Sequence, residues 1–270
     1  KNNAPKYGLE YSYNAELMGK DGKHLVIHEP GNDFRKINNS NNIHPEDGKD
    51  LITTLDLELQ DILEQALLRQ VEKYEANFGT AVLMEVRTGQ IKAITNLKKT
   101  EKNTYAESLN FAVTQQVEPG STFKLASLMA YFEDYNGSVD DTIDCKNGHY
   151  QFKGAPIVTK DTKPLGNVSI KEVFAKSSNI GVARLITKYY NKTPERFIDR
   201  LYNFSLGEKS KIDLIGVPTP QIISPRDKSW SGITLPWMSF GYGINLTPLD
   251  ILTFYNTVAN NGYLAHPYLG

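Results

Sequence analysis

The apolar positions change pattern along the chain. From residue 1 to about 50 the only compact apolar run is Leu25-Val26-Ile27, and Gly8, Gly19, Gly22, Gly31 and Gly48 punctuate it. Five of the eleven residues from Asn32 to Asn42 are Asn, which is turn and loop chemistry. This stretch has too little to bury to fold alone and is expected to be a short strand-and-loop appendage. From Leu51 the pattern becomes regular. Leu59, Ile62, Leu63, Ala66, Leu67, Val71 and Tyr74 recur at helical spacing, with Asp56 placed as N-cap. A strand pair follows, Thr80 to Val86 and Gln90 to Asn96, joined by a turn at Arg87-Thr88-Gly89. Lys98 to Asn103 reads as a charged loop. Pro119-Gly120 stops the chain, and Ser121 to Tyr135 reads as a helix. Ser169-Ile170-Lys171-Glu172 has the form of a capping box, so a helix should start there. Thr193-Pro194 and Thr247-Pro248 each open a helix with proline at its first position. The last of these should run to about Asn260, with Gly262 near its C-terminal cap. A helix, a hairpin and then mostly helices predict an α+β architecture.

Composition narrows the class. The 270 residues carry 30 Lys+Arg and 31 Asp+Glu, a net charge of -1. A nucleic-acid or anionic-membrane binder would show a basic excess, so neither is expected as a partner. The longest apolar run, Leu125 to Phe132 interrupted by Ser127, is far short of the roughly 18 residues a membrane span needs. The opening Lys1-Asn2-Asn3 is polar and shows no signal-peptide core. Cys145 is the single cysteine, which excludes an intrachain disulfide and a thiolate metal cluster. His24 and His28 would suit a metal at helical spacing, with Glu29 adjacent. They flank the strand-like Leu25-Val26-Ile27, so a surface strand is the reading. Trp230, Trp237 and Met238 read as core or groove-wall residues. No cofactor and no metal are expected.

The candidate chemistry starts at Ser121-Thr122-Phe123-Lys124, the one Ser-x-x-Lys in the chain. A serine hydroxyl is a weak nucleophile until a base takes its proton. Residues three apart share a helix face, so Lys124 can reach Ser121 Oγ. The positive end of the helix would favour a developing alkoxide, and burial would lower the lysine's pKa. The spacing by itself fits a Ser/Lys acyl-transfer site, but a helix cap followed by a solvated lysine is its commoner meaning. Ser177-Ser178-Asn179 lies between two apolar helical stretches. Its side chains compete with helical hydrogen bonds, so it should break the helix and present polar groups there. Ser12/Asn14, Ser40/Asn42 and Ser108/Asn110 share the Ser-x-Asn spacing without that setting.

Taken together, the motifs resemble those of class B penicillin-binding proteins. They are Glu118-Pro119-Gly120-Ser121-Thr122-Phe123-Lys124, Ser177-Ser178-Asn179-Ile180-Gly181, Gly241-Tyr242-Gly243 and Thr247-Pro248-Leu249, in the family's order. The tail from Tyr255 to Gly262 is also similar, as is the early Gly8-Leu9-Glu10 with Leu17, Gly19 and Gly22. Among class B enzymes the chain most resembles the septal, division-specific type of Bacteroidetes-like bacteria. The resemblance implies a penicillin-binding transpeptidase fold, like that of serine β-lactamases. Residues 1–50 would be the remnant of a non-catalytic pedestal and linker, and residues 51–270 the transpeptidase domain. It implies a D,D-transpeptidase of peptidoglycan synthesis acting on D-Ala-D-Ala stem peptides and acylated by β-lactams. Ser121 would be the nucleophile and Lys124 the general base. Ser177 would relay the proton to the leaving D-Ala, and Asn179 would bind the substrate amide and steady Lys124. The Ser121 N–H would form half of the oxyanion hole. A membrane glycan polymerase and division proteins would be its partners, at the periplasmic face of the bacterial inner membrane.

One family feature is missing. A Lys-Thr-Gly or Lys-Ser-Gly should follow the Thr247-Pro248-Leu249 region, and none does before Gly270. Arg87-Thr88-Gly89 and Lys146-Asn147-Gly148 stand ahead of their place in that order, and the first reads as a hairpin turn. The expectation is a domain truncated at its C-terminus, inactive by itself if that tripeptide is required, with an open strand edge. A D,D-carboxypeptidase or β-lactamase-type hydrolase, and a non-catalytic β-lactam sensor or division scaffold, are the competing functions.

Overall fold

The structure, a computed structural model, describes residues 5, 7–29, 31, 33–37, 40–155 and 158–270. Lys1-Asn2-Asn3, Pro30, and Asn32, Asn38 and Asn39 of the Asn-rich stretch lie outside the described residues. The N-terminal segment starts with two helical turns, α1 (Gly8–Ser12) and α2 (Asn14–Leu17). The sequence reading gave strand and loop alone here, because helices this short span too few residues for a 3.6 period to appear. The strand read at Leu25-Val26-Ile27 is present, shifted one residue on, and it forms one arm of a hairpin. Strands β1 (Val26–Glu29) and β2 (Asp33–Lys36) pair antiparallel, with His28 opposite Phe34 and the two rings edge to face at 5.0 Å. Isolated bridges at Lys20–Glu46 and Lys23–Ile43 close the loops around it. The segment docks on the remainder through the Tyr13 hydroxyl, which donates to Asp213, and through Ser12 Oγ, which accepts the Ile215 N–H at 3.0 Å.

Helix α3 (Leu57–Lys73) starts where the sequence places it. Asp56 is its N-cap and accepts the Glu58 and Leu59 N–H groups. Strands β3 (Phe78–Met84), β4 (Ile91–Lys99) and β5 (Tyr105–Glu107) form an antiparallel sheet in that order, with β3 at one edge. α3 lies on β3 and β4. The contact depends on Gly79, where a Cβ would stand 2.6 Å from Val71 Cγ1. Strand β4 runs three residues past its expected end. Lys98 and Lys99 pair with Ala106 and Tyr105 of β5, so the charged loop begins at Thr100. Their charges do not oppose a strand whose side chains reach water.

The chain then turns to helices. α4 (Phe111–Thr114) precedes a 3₁₀ turn at Gly120–Phe123, which runs directly into α5 (Lys124–Tyr135). Short strands β6 (Thr142–Asp144), β7 (His149–Tyr150), β8 (Thr159–Lys160) and β9 (Asn167–Ser169) pair as β6–β9 and β7–β8. Ser169 then caps α6 (Ile170–Ala175) by accepting the Glu172 N–H. α7 (Asn179–Tyr190) and α8 (Pro194–Asn203) follow. Strand β10 (Gln221–Ile222), helix α9 (Thr234–Met238), strand β11 (Ile244–Asn245) and α10 (Pro248–Ala259) complete the order. α10 carries a full capping box between Thr247 and Asp250. Ala126 and Ala130 of α5, Ile180, Leu185 and Ile186 of α7, and Phe197 and Leu201 of α8 form the main core. The Asp134 side chain is buried beside it. Burial pushes its carboxyl up, but bonds from Arg200 and Tyr190 outweigh that and hold it below the usual carboxylate range. Met238 is fully buried and Trp237 packs on Phe152 and Phe240, as core and wall residues should.

Candidate active site

Two glycines set the entrance to the site. Gly120 sits at φ +55° and Gly241 at φ +93°, the left-handed region that side chains avoid. A Cβ on Gly241 would stand 2.1 Å from Gly120 O and 2.5 Å from Gly120 N. The Gly241-Tyr242-Gly243 turn can therefore lie directly on the chain ahead of Ser121. It is bonded there: the Gly120 N–H donates to Gly241 O at 3.1 Å, and the Gly243 N–H to Glu118 Oε1 at 2.8 Å. Ser121 is exposed in the 3₁₀ turn, and Lys124 is the first residue of α5. The sequence reading gave one α-helix from Ser121, but its first turn is 3₁₀. In that geometry residues three apart eclipse, which sets Lys124 beneath Ser121.

Lys124 is 1% exposed, and its Nζ has three acceptors for its three protons. It lies 3.1 Å from Ser121 Oγ, 2.9 Å from Ser177 Oγ and 2.6 Å from Ser177 O. Burial pushes its pKa down from 10.5 to about 8, against an opposing pull from the Asp161 carboxylate. A neutral amine is thus within reach near physiological pH, placed between two serine hydroxyls.

Ser177 reaches Lys124 because of how α6 ends. The Ser177 N–H donates to Phe174 O and the Ser178 N–H to Val173 O, both at 2.9 Å. These are the two bonds of a Schellman motif, whose left-handed position is ordinarily glycine. Here it is Ser177, at φ +53°. That conformation turns both its carbonyl and its hydroxyl onto Nζ. The helix break read from Ser177-Ser178-Asn179 is therefore real, with Ser178 as N-cap of α7, accepting the Gly181 N–H at 2.8 Å.

Ser121, Lys124 and Ser177 are brought together as expected. Asn179 is the half-buried first residue of α7, and its side-chain amide has no hydrogen-bond partner among the described residues. Lys124 is held by the two serines instead. Arg87-Thr88-Gly89 is a hairpin turn, with the Gly89 N–H bonded to Glu85 O. Sequence reasoning missed Asp161, which takes the Ser178 hydroxyl and the Asn179 N–H. Nothing local marks it, since its partners lie 17 and 18 residues further on.

Comparison with known proteins places this geometry. Residues 79–270 match the penicillin binding protein transpeptidase domain. PenA of Neisseria gonorrhoeae is 27% identical over 263 residues, 95% of this chain and 44% of PenA. The peptidoglycan D,D-transpeptidase FtsI of Escherichia coli K12 is 28% identical over 260 residues, 94% of this chain and 42% of FtsI. The chain thus spans less than half the length of these curated relatives. Among solved structures, penicillin-binding protein 3 of Mycobacterium tuberculosis superposes with a TM-score of 0.77 at 27% identity, covering 99% of this chain and 56% of that one. That protein has also been solved with aztreonam and with ampicillin. On the match over residues 79–270, this chain belongs to the penicillin-binding protein transpeptidase domain family, in its class B, FtsI- and PenA-like branch.

Proposed function

We propose that the chain is the nucleophile-bearing part of a peptidoglycan D,D-transpeptidase, with Ser121 as the residue acylated. The observation that carries this reading is the buried Lys124 amine within hydrogen-bond reach of both Ser121 Oγ and Ser177 Oγ. Neutral Lys124 takes the Ser121 proton as Oγ attacks the carbonyl of the penultimate D-Ala. The tetrahedral intermediate collapses, the C–N bond breaks, and the proton passes from Lys124 through the Ser177 hydroxyl to the departing D-Ala amine. An amine of a second stem peptide then attacks the acyl-serine and releases Ser121. Asn179 bonds the substrate amide; its uncommitted side chain supports that role. A β-lactam enters the same first step, and its ring-opened acyl group stays on Ser121.

The likeness to FtsI, with the motif resemblance to septal enzymes of Bacteroidetes, supports a role in cell division. Residues 51–270 are assigned to the transpeptidase domain and residues 1–50 to the end of a pedestal. The site of action is the periplasmic face of the inner membrane, alongside a glycan polymerase and division proteins. Among the described residues, no helix of this chain is long and apolar enough to cross a membrane.

The test is to incubate the chain with a fluorescent penicillin, digest it, and find the labelled peptide by mass. A lasting adduct on Ser121, lost in Ser121→Ala, is expected. Label that persists in the variant overturns the assignment, and so does the absence of label both on a cooperatively melting chain and on one extended past Gly270 to supply the Lys-Thr-Gly or Lys-Ser-Gly motif. Release of the adduct within seconds would make the protein a hydrolase.

A further inference from the structure

The turn that presents Ser177 is held from outside by one carboxylate. Asp161 lies just past β8, where its N–H donates to Gly148 O at 3.0 Å. The antiparallel pair His149–Lys160 fixes the strand that leads to it. Oδ2 accepts the Ser178 hydroxyl at 2.5 Å. Oδ1 accepts the Asn179 N–H at 2.8 Å and the Ile180 N–H at 3.3 Å. Ser178 Oγ in turn accepts the Gly181 N–H. The first amides of α7 are therefore all taken by two side chains, where a helix supplies no acceptors of its own. A negative charge at that end also suits the helix dipole.

Ser177 stands between this anchor and Lys124. Its left-handed φ is a conformation a non-glycine residue keeps only when its surroundings over-determine it. The Schellman bonds hold the turn from the α6 side, and Asp161 holds it from the α7 side. We infer that Asp161 is a positioning residue of the acyl-transfer centre: it fixes the Ser177 turn and the start of α7, and through them the places of Lys124 Nζ and Asn179. The inference rests on the proposed acyl transfer at Ser121. Asp161 contacts neither Ser121 nor Lys124 through a hydrogen bond, which separates it from the reacting groups.

Its charge has a second effect. The carboxylate favours the ammonium form of Lys124, opposing the burial that disfavours it. The other ionisable groups around it do not substitute for it. Burial raises the Cys145 thiol and so keeps it neutral, and the Arg184 guanidinium is bonded to Asp144.

The experiment uses the whole chain with Asp161→Ala and Asp161→Asn, each checked by thermal melting. Stopped-flow acylation by a fluorescent penicillin separates the binding constant from the acylation rate, and hydrogen exchange follows the Asn179 and Ile180 amides. In Asp161→Ala the acylation rate should fall about 100-fold, the effect of a displacement of roughly 1 Å in a reacting group. The two amides should exchange at least about tenfold faster. Asp161→Asn keeps an oxygen for both amides, so its rate should stay within about fivefold of the parent. Its acylation midpoint should move below about 8, because the charge that favoured the ammonium is gone. A purely structural residue would not move that midpoint. Parent-like acylation in Asp161→Ala, unchanged amide exchange, or an unmoved midpoint in Asp161→Asn would overturn the inference. If neither the parent nor a chain extended past Gly270 takes label while the amides of Asp161→Ala exchange faster, the acyl-transfer reading has failed and the anchor of the turn stands alone.

Discussion

Lys124 and Ser177 are held in states that stability alone would not select, one a buried amine and the other a left-handed non-glycine residue. Burying an amine costs free energy in its charged form. Its folded pKa, about 8, lies below the ordinary 10.5. The cost is therefore complete below about pH 8 and vanishes above about 10.5, so this residue's contribution to stability rises with pH across that window. Activity has the same sign. In the proposed reaction the neutral amine is the base, so the acylation rate of Ser121 should climb about tenfold per pH unit well below 8 and level off above it. A stopped-flow pH series checks this, and a flat profile from pH 6 to 9 would remove Lys124 as the base. Ser177 offers a second measurement. Gly and Ala both delete its hydroxyl, yet only Gly is at ease at φ +53°. Ser177→Gly should be more stable than Ser177→Ala by about 1 kcal/mol in urea titrations, while both acylate equally slowly. Equal stabilities would mean that the turn relaxes once the hydroxyl is lost.

Elements were legible where their signals are local. Asp56, Ser169 and Thr247 each cap the helix that the sequence assigned to them, because a cap is an interaction with the next two or three residues. The end of β4 was not legible, since Lys98 and Lys99 become strand through partners distant in the sequence, on the β3 side as well as on β5. The close approach of Gly241 to Gly120 is of the same long-range kind. Gly-Tyr-Gly reads as a turn, but nothing in it says which backbone it touches. That approach gives an element-scale prediction. In Gly241→Ala the new methyl meets backbone on Gly120 that has no room to yield, and the turn that carries Ser121 must shift. Acylation should fall about 100-fold. Gly243→Ala is the control: its φ of +72° is also left-handed, but its Cβ would meet only Ile223 Cδ1 at 3.6 Å. It should cost about 1 kcal/mol of stability and leave acylation near the parent rate. Equal rates in the two variants would show that backbone strain, and not the Gly120 contact, governs the site.

On the scale of the molecule, the site joins segments that the sequence keeps apart. Lys124 and Ser177 are 53 residues from each other, and only a motif set known from a family links them on sequence alone. Asp161 belongs to no such motif and needed the fold to be seen. Asp213 makes a similar junction far along the chain. It accepts the Tyr13 hydroxyl of the N-terminal segment, the Leu269 N–H at 2.9 Å and the Gly270 N–H at 2.8 Å. One side chain thus clasps residue 13, its own loop and residues 269–270. Burial and then the bond to Asp213 raise the Tyr13 phenol to about 12, so the clasp contributes stability below the ordinary value of 10 and loses it as pH rises through about 12. Asp213→Ala should lower stability by about 2 kcal/mol, since it strips acceptors from partly buried donors. Tyr13→Phe should cost about half as much, because the two amides keep their acceptor. In the Asp213→Ala background, Tyr13→Phe should add nothing, for its partner is already gone. Urea titration of the four chains closes the cycle. Full additivity would mean that Tyr13 and Asp213 act independently, and the N-terminal segment would then owe its place to other contacts.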